Sequence, residues 1–147
     1  MQKLLTNRDK VMRKINLIVI HCSATRSNVD FSPEDLDRCH RERGFAGCGY
    51  HFYITKDGLV HAMRPVELIG AHARGYNANS IGICYEGGLD PQNRPRDTRT
   101  VKQNAMLHAL VGRLNFLFNK SIKPPVPKIK RHLTGYATTE LCNTEMY

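Results

Sequence analysis

The chain has no apolar run approaching the roughly 20 residues that a membrane-spanning helix needs, which argues against a bilayer-spanning segment. Its opening stretch, Met1 to Lys10, is polar and carries no secretory apolar core, so the expectation is synthesis in the cytoplasm without a signal peptide. There is no Cys-x-x-Cys pair, and five cysteines are an odd number, which argues against a full disulfide framework. Buried free thiols are expected instead, with Cys39 and Cys48 the pair able to bridge in an oxidising space. Acidic residues are the scarce charge: 13 Asp and Glu stand against 22 Lys and Arg, for a net charge of +9. Such a balance favours anionic partners, whether nucleic acid, anionic lipid or an acidic cell-wall polymer. Apart from Lys120, Lys123, Lys128, Lys130 and Arg131 the basic residues are scattered, and none are interleaved with aromatics. A nucleic-acid module is therefore not expected, nor is membrane insertion. No internal repeat and no low-complexity tract appears.

What is present fits one soluble α/β (mixed α+β) domain: 147 residues, 41% of them hydrophobic, can bury a proper core. Residues 1–14 read as a basic lead-in and 15–147 as a single domain. Leu17-Ile18-Val19-Ile20, rich in β-branched residues, reads as a strand buried on both faces, and it ends in His21-Cys22-Ser23. Groups just beyond the carboxyl end of a central strand are well placed for chemistry. Ser32-Pro33-Glu34-Asp35 opens a helix that reaches about Arg43, with Gly44 as its stop. Tyr50 to Thr55 and Leu59 to Met63 form a hairpin about Asp57-Gly58. Residues 64–79 form a long loop, of the length that is often functional. Ser80 to Glu86 is another buried strand, followed by a polar loop through Asp97. Thr100 to Gln103 forms a capping box for the longest helix, with Leu107, Leu110, Val111, Leu114, Leu117 and Phe118 on one face. Lys128 to His132 reads as a short edge strand.

Seven histidines and five cysteines suggest a metal, although no local spacing identifies a site. The sharper signal lies in four motifs, Val19-Ile20-His21-Cys22-Ser23-Ala24-Thr25, Gly49-Tyr50-His51-Phe52, Gly70-Ala71-His72-Ala73-Arg74-Gly75-Tyr76-Asn77 and Asn79-Ser80-Ile81-Gly82-Ile83-Cys84. Their order and spacing resemble the zinc-dependent N-acetylmuramoyl-L-alanine amidases, the family of phage lysozymes and autolysins related to the peptidoglycan-recognition proteins. The resemblance covers roughly Ile15 to His132.

It implies a central mixed sheet of about five strands flanked by helices, and Zn2+ held by His21, His132 and Cys142 with one position open. It implies that Tyr50 moves a proton or binds the developing oxyanion, and that His72 lines the cleft, binding substrate or assisting proton movement; Arg74 and Asn79 are expected to contact substrate or to shape the loop. Glu140 stands where the family has Lys or Thr, and Thr138 or Thr139 is the nearby hydroxyl able to take that role, since a carboxylate donates only when protonated. Asn143 replaces the family's proline, and Cys142 lies slightly farther from His132 than is usual. His40, His51, His61 and His108 are expected to be structural or exposed. The implied activity is hydrolysis of the amide between the N-acetylmuramoyl group and L-alanine of peptidoglycan, by a monomer that reaches the wall as a phage lysin or acts on soluble muropeptides. The competing reading is a non-catalytic peptidoglycan-binding module.

Overall fold

Four apolar residues in succession, Leu17 to Ile20, offer no polar face to water, and the chain places them in the middle of a sheet. The computed structural model describes residues 13–119 and 128–131. In it the element order is β1 (Leu17–Cys22), β2 (Thr25–Arg26), α1 (Pro33–Glu42), β3 (Phe52–Ile54), β4 (Val60–Ala62), a 3-10 turn at Asn77–Asn79, β5 (Ser80–Tyr85), β6 (Gly88–Leu89), α2 (Val101–Asn119) and β7 (Lys128–Arg131). Among the described residues the main sheet has five strands in the order β4-β3-β5-β1-β7. β1 pairs in parallel with both β5 and β7, β3 pairs in parallel with β5, and only the hairpin partner β4 is antiparallel. The expected mixed sheet between helices is the one observed.

Alternation along the strands separates the two faces of this sheet. Ile18 and Ile20 of β1, Ile81 and Ile83 of β5 and Ile54 of β3 point to one side, where Leu107, Val111, Leu114 and Phe118 of α2 close an aliphatic core. The opposite face collects Tyr50, Tyr53, Cys48 and Cys84 beneath Leu36 of α1 and Phe31, just before that helix. Polar chemistry is thus confined to the α1 side.

Both helices start where side chains supply the missing partners of the first turn. Ser32 Oγ accepts the Asp35 amide at 3.1 Å while the Asp35 carboxylate accepts the Ser32 amide at 3.1 Å. Thr100 and Gln103 make the same reciprocal pair at 3.0 Å, and the Gln103 amide also donates to the Ile54 and Glu86 carbonyls, tying α2 to the ends of β3 and β5. The expected apolar face of α2 is narrower than read. Leu110 is only partly buried and Leu117 is 47% exposed, because both sit at the margin of the stripe centred on Leu107, Val111, Leu114 and Phe118. The polar loop after β5 contains structure that periodicity does not announce: β6 pairs in parallel with β2 as a two-residue ribbon. Cys48 and Cys84 are free thiols, so Cys39 and Cys48 do not bridge each other.

Candidate active site

On β1 the residues Ile18 and Ile20 face α2, so His21 turns to the α1 side at the carboxyl end of the strand, where it is fully buried. Parallel pairing sets it level with Cys84 of β5. Two further groups converge on it from elsewhere in the chain. Tyr50, just before β3, brings its ring to 5.1 Å from the His21 ring, and His72, from the long loop, stands edge-on at 5.1 Å. His21 Nε2 lies 3.0 Å from His72 Nδ1, and His72 Nε2 lies 3.1 Å from Ser80 Oγ.

His72 does not line an open cleft; it is wholly buried behind His21. Its imidazole lies over Gly82, where a Cβ would come within 2.6 to 2.8 Å of the ring, so any side chain there would evict it. Burial, followed by the neighbouring His21 and His51, pushes its pKa down to about 2, and the ring stays neutral. A neutral His72 with a hydroxyl on one side and His21 on the other holds both rings in fixed orientations. The backbone around it is fastened by Asn77, whose Oδ1 accepts the amides of His72 and Ala73 at 2.9 Å.

Tyr50 is buried as completely, and its hydroxyl has no hydrogen-bond partner among the described residues. Desolvation, reinforced by the sulfurs of Cys84, Cys48 and Cys22, raises its pKa well above 10, so the phenol keeps its proton. A buried donor left unmatched at the centre of a polar cluster is suited to an oxygen that arrives with substrate.

The other expected residues fall out unevenly. Arg74 is exposed on the long loop. Asn79 is not brought to the site: its Nδ2 donates to Asn16 Oδ1 at 2.6 Å and its carbonyl accepts the Asn16 amide at 3.0 Å. That contact lies at the amino end of β1, the far end of the strand from His21, because the Leu17–Ser80 register puts Asn79 there. Asn79 anchors the loop to the start of β1. His132, Thr138, Glu140 and Cys142 lie outside the described residues, and among the described residues no group of three or more metal-binding side chains is assembled.

Of the histidines expected to be structural or exposed, His51 is the most engaged. Its Nδ1 accepts the Gly82 amide at 3.0 Å and its Nε2 donates to the Leu68 carbonyl at 2.9 Å. His108 is exposed, and His61 is half-buried against Thr55. One contributor gave no signal in the sequence. Arg13, from the polar lead-in, donates to the carbonyls of Val66 at 2.8 Å, Ser80 at 2.9 Å and Asn77 at 3.2 Å, gathering both ends of the loop that carries His72. Nothing in a lone arginine before a strand distinguishes it from a solvated cation.

A neutral His72 and a protonated phenol stand beside His21 near the carboxyl end of a parallel strand in a helix-covered sheet, a set of groups suited to acid–base and oxyanion chemistry. The chain belongs to the N-acetylmuramoyl-L-alanine amidase family, whose pattern matches residues 11–144. It is 36% identical over 103 residues to the endolysin of Enterobacteria phage K11, covering 70% of this chain and 68% of that one. To the endolysin of Escherichia phage T7 it is 37% identical over 102 residues, covering 69% and 68%. Among solved structures, the N-acetylmuramoyl-L-alanine amidase LysC from Clostridium intestinale superposes with a TM-score of 0.67 at 34% identity, covering 86% of this chain and 75% of that one. A point mutant of Drosophila PGRP-LB, solved in complex with tracheal cytotoxin, superposes with a TM-score of 0.66 at 26% identity, covering 86% and 75%. The chain is a peptidoglycan amidase.

Proposed function

We propose that the amidase is zinc-dependent, with His21, His132 and Cys142 as ligands, and that it cleaves the amide between N-acetylmuramoyl residues and L-alanine. The observation that carries this reading is a register. β7 runs parallel to β1 with Arg131 opposite Ile20, and the next residues along the two segments are His21 and His132. Two histidines and a thiolate match the ligand preferences of Zn2+, and His21 fits the role in its surroundings: it is buried and its Nε2 is hydrogen-bonded to His72, the kind of supporting contact that orients metal-bound histidines. When bound, zinc supplies an electrophile that activates water and polarises the amide carbonyl.

The chain's own residues do the rest. With Nε2 engaged by His72, the other ring nitrogen of His21, Nδ1, is the one that would hold the metal. His72 acts through His21 and Ser80 holds His72 in place, so neither touches substrate. Tyr50 donates its phenolic proton as a hydrogen bond to the oxygen that gains charge as the amide is attacked. On the segment after His132, Thr138 is the donor in this reading, and Glu140 donates only when protonated. Arg74, exposed on the loop, meets the anionic groups of the muropeptide, and the net charge of +9 keeps the protein on an anionic wall. Residues 15–147 work as one catalytic domain and a monomer, reaching peptidoglycan after release as the related endolysins do.

The test pairs metal analysis with dye release from labelled cell walls. Stoichiometric zinc, release abolished by a chelator and restored by Zn2+, and loss of both in His21→Ala are expected. Release by the metal-free protein would overturn zinc dependence. Bound zinc with no dye release would leave a peptidoglycan-binding module.

A further inference from the structure

His40 lies within α1 and is fully buried, yet as an apolar space-filler an imidazole is a poor choice. Its Nδ1 accepts the Gly49 amide at 2.8 Å, which places the ring hydrogen on Nε2. That Nε2 is buried with no partner among the described residues, an arrangement a leucine would avoid. What the imidazole gains is the bond to Gly49, and Gly49 is where two functional segments meet. It directly precedes Tyr50, and its carbonyl accepts the amide of Ala71, the residue before His72, at 3.0 Å. The approach is so close that a Cβ on Gly49 would collide with the Ala71 carbonyl, so the junction has no slack. The His40 ring also packs against the Tyr50 ring at 5.5 Å between centroids and meets the Phe45 ring edge-on at 5.3 Å.

We propose that His40 is a positioning residue for the reaction: its Nδ1, through Gly49, sets the backbone that aims the Tyr50 hydroxyl and seats His72 behind His21. The geometry is a chain of contacts from helix α1 to Gly49, and from there to Tyr50 on one side and the His72 loop on the other. Burial holds the ring neutral, with its pKa down to about 4, so Nδ1 remains an acceptor throughout the neutral range. The inference rests on the catalytic role given to Tyr50 above.

The experiment measures kcat and KM on a soluble muropeptide for zinc-loaded His40→Gln, His40→Asn, Tyr50→Phe and the His40→Gln/Tyr50→Phe double variant. Zinc content and thermal melting are recorded for each. Asn can present an oxygen near the position of Nδ1 and Gln cannot. A misplacement of this kind costs about 10–100-fold, so His40→Gln is expected to lose that much kcat with KM and zinc content near wild type. His40→Asn should recover most of the loss, and the double variant should be slowed by less than the product of the two single effects, because part of the His40 effect runs through Tyr50. A wild-type kcat in His40→Gln, or a double variant slowed by the product of both single effects, would overturn the proposal. If His40→Gln does not fold, His40→Asn decides: near-wild-type kcat supports it, and a loss as large as that of Tyr50→Phe overturns it. A wild-type rate in Tyr50→Phe strikes the catalytic reading itself, whereas a slow Tyr50→Phe beside an unaffected His40→Gln strikes this inference alone.

Discussion

The Tyr50 hydroxyl combines full burial, a retained proton and no internal partner among the described residues. Leaving a donor in that state costs about 1–3 kcal/mol, which an incoming oxyanion would return in the transition state. Tyr50→Phe is therefore expected to lower kcat by about 10²–10³-fold, the usual cost of removing one oxyanion donor, with little change in KM. Steady-state kinetics on a muropeptide checks this, and an unchanged kcat would remove Tyr50 from the chemistry. Residues such as Tyr50 and His21 were readable because each follows or precedes a recognisable strand within a motif. Asn79 sits in a motif as well, yet its side chain serves Asn16, since the motif records which residues adjoin but not which end of the strand they meet.

Elements set this chemistry by dividing the sheet into an aliphatic face under α2 and a polar face under α1. Gly82 is the point where β5 makes room on the polar face, because the His72 ring occupies the space its side chain would fill. Gly82→Ala should destabilise the fold by roughly 1–3 kcal/mol, the range for overpacking, and lose activity beyond what stability explains, because His72 must leave Ser80 and His21. Urea unfolding together with specific activity of the folded fraction tests the two effects separately; a fully active Gly82→Ala would show that His72 is dispensable. The helices themselves were readable from caps and periodicity. The β2–β6 ribbon was not, since two residues per strand carry no period.

For the molecule as a whole, buried imidazoles make stability depend on pH. Burial lowers the pKa of both His40 and His51 from 6.5 to about 4. The unfolded chain therefore binds more protons between those values, and stability is fully present above pH 6.5 and falls as pH drops toward 4. Below about 4 these two groups add no further loss. A shift of this size corresponds to roughly 3 kcal/mol for each histidine, so denaturant midpoints at pH 7 and pH 4.5 should differ clearly. Equal midpoints would mean that neither ring is held neutral by burial. The same fall in pH leaves the protein more positively charged, so adsorption to an anionic wall and folding respond to acid in opposite directions.

Local order was determined by sequence alone: the Leu17 to Ile20 strand ending in His21, the two capping boxes and the Asp57-Gly58 hairpin all rest on neighbours a few residues apart. Tertiary structure alone decided that His72 stands between His21 and Ser80, that Arg13 gathers the loop, and that His40 holds Gly49. Those contacts join side chains to rings and carbonyls on other elements, some more than fifty residues away in the chain. They exist only once strand order and register have brought these segments face to face, and no short-range pattern of residue types encodes that meeting.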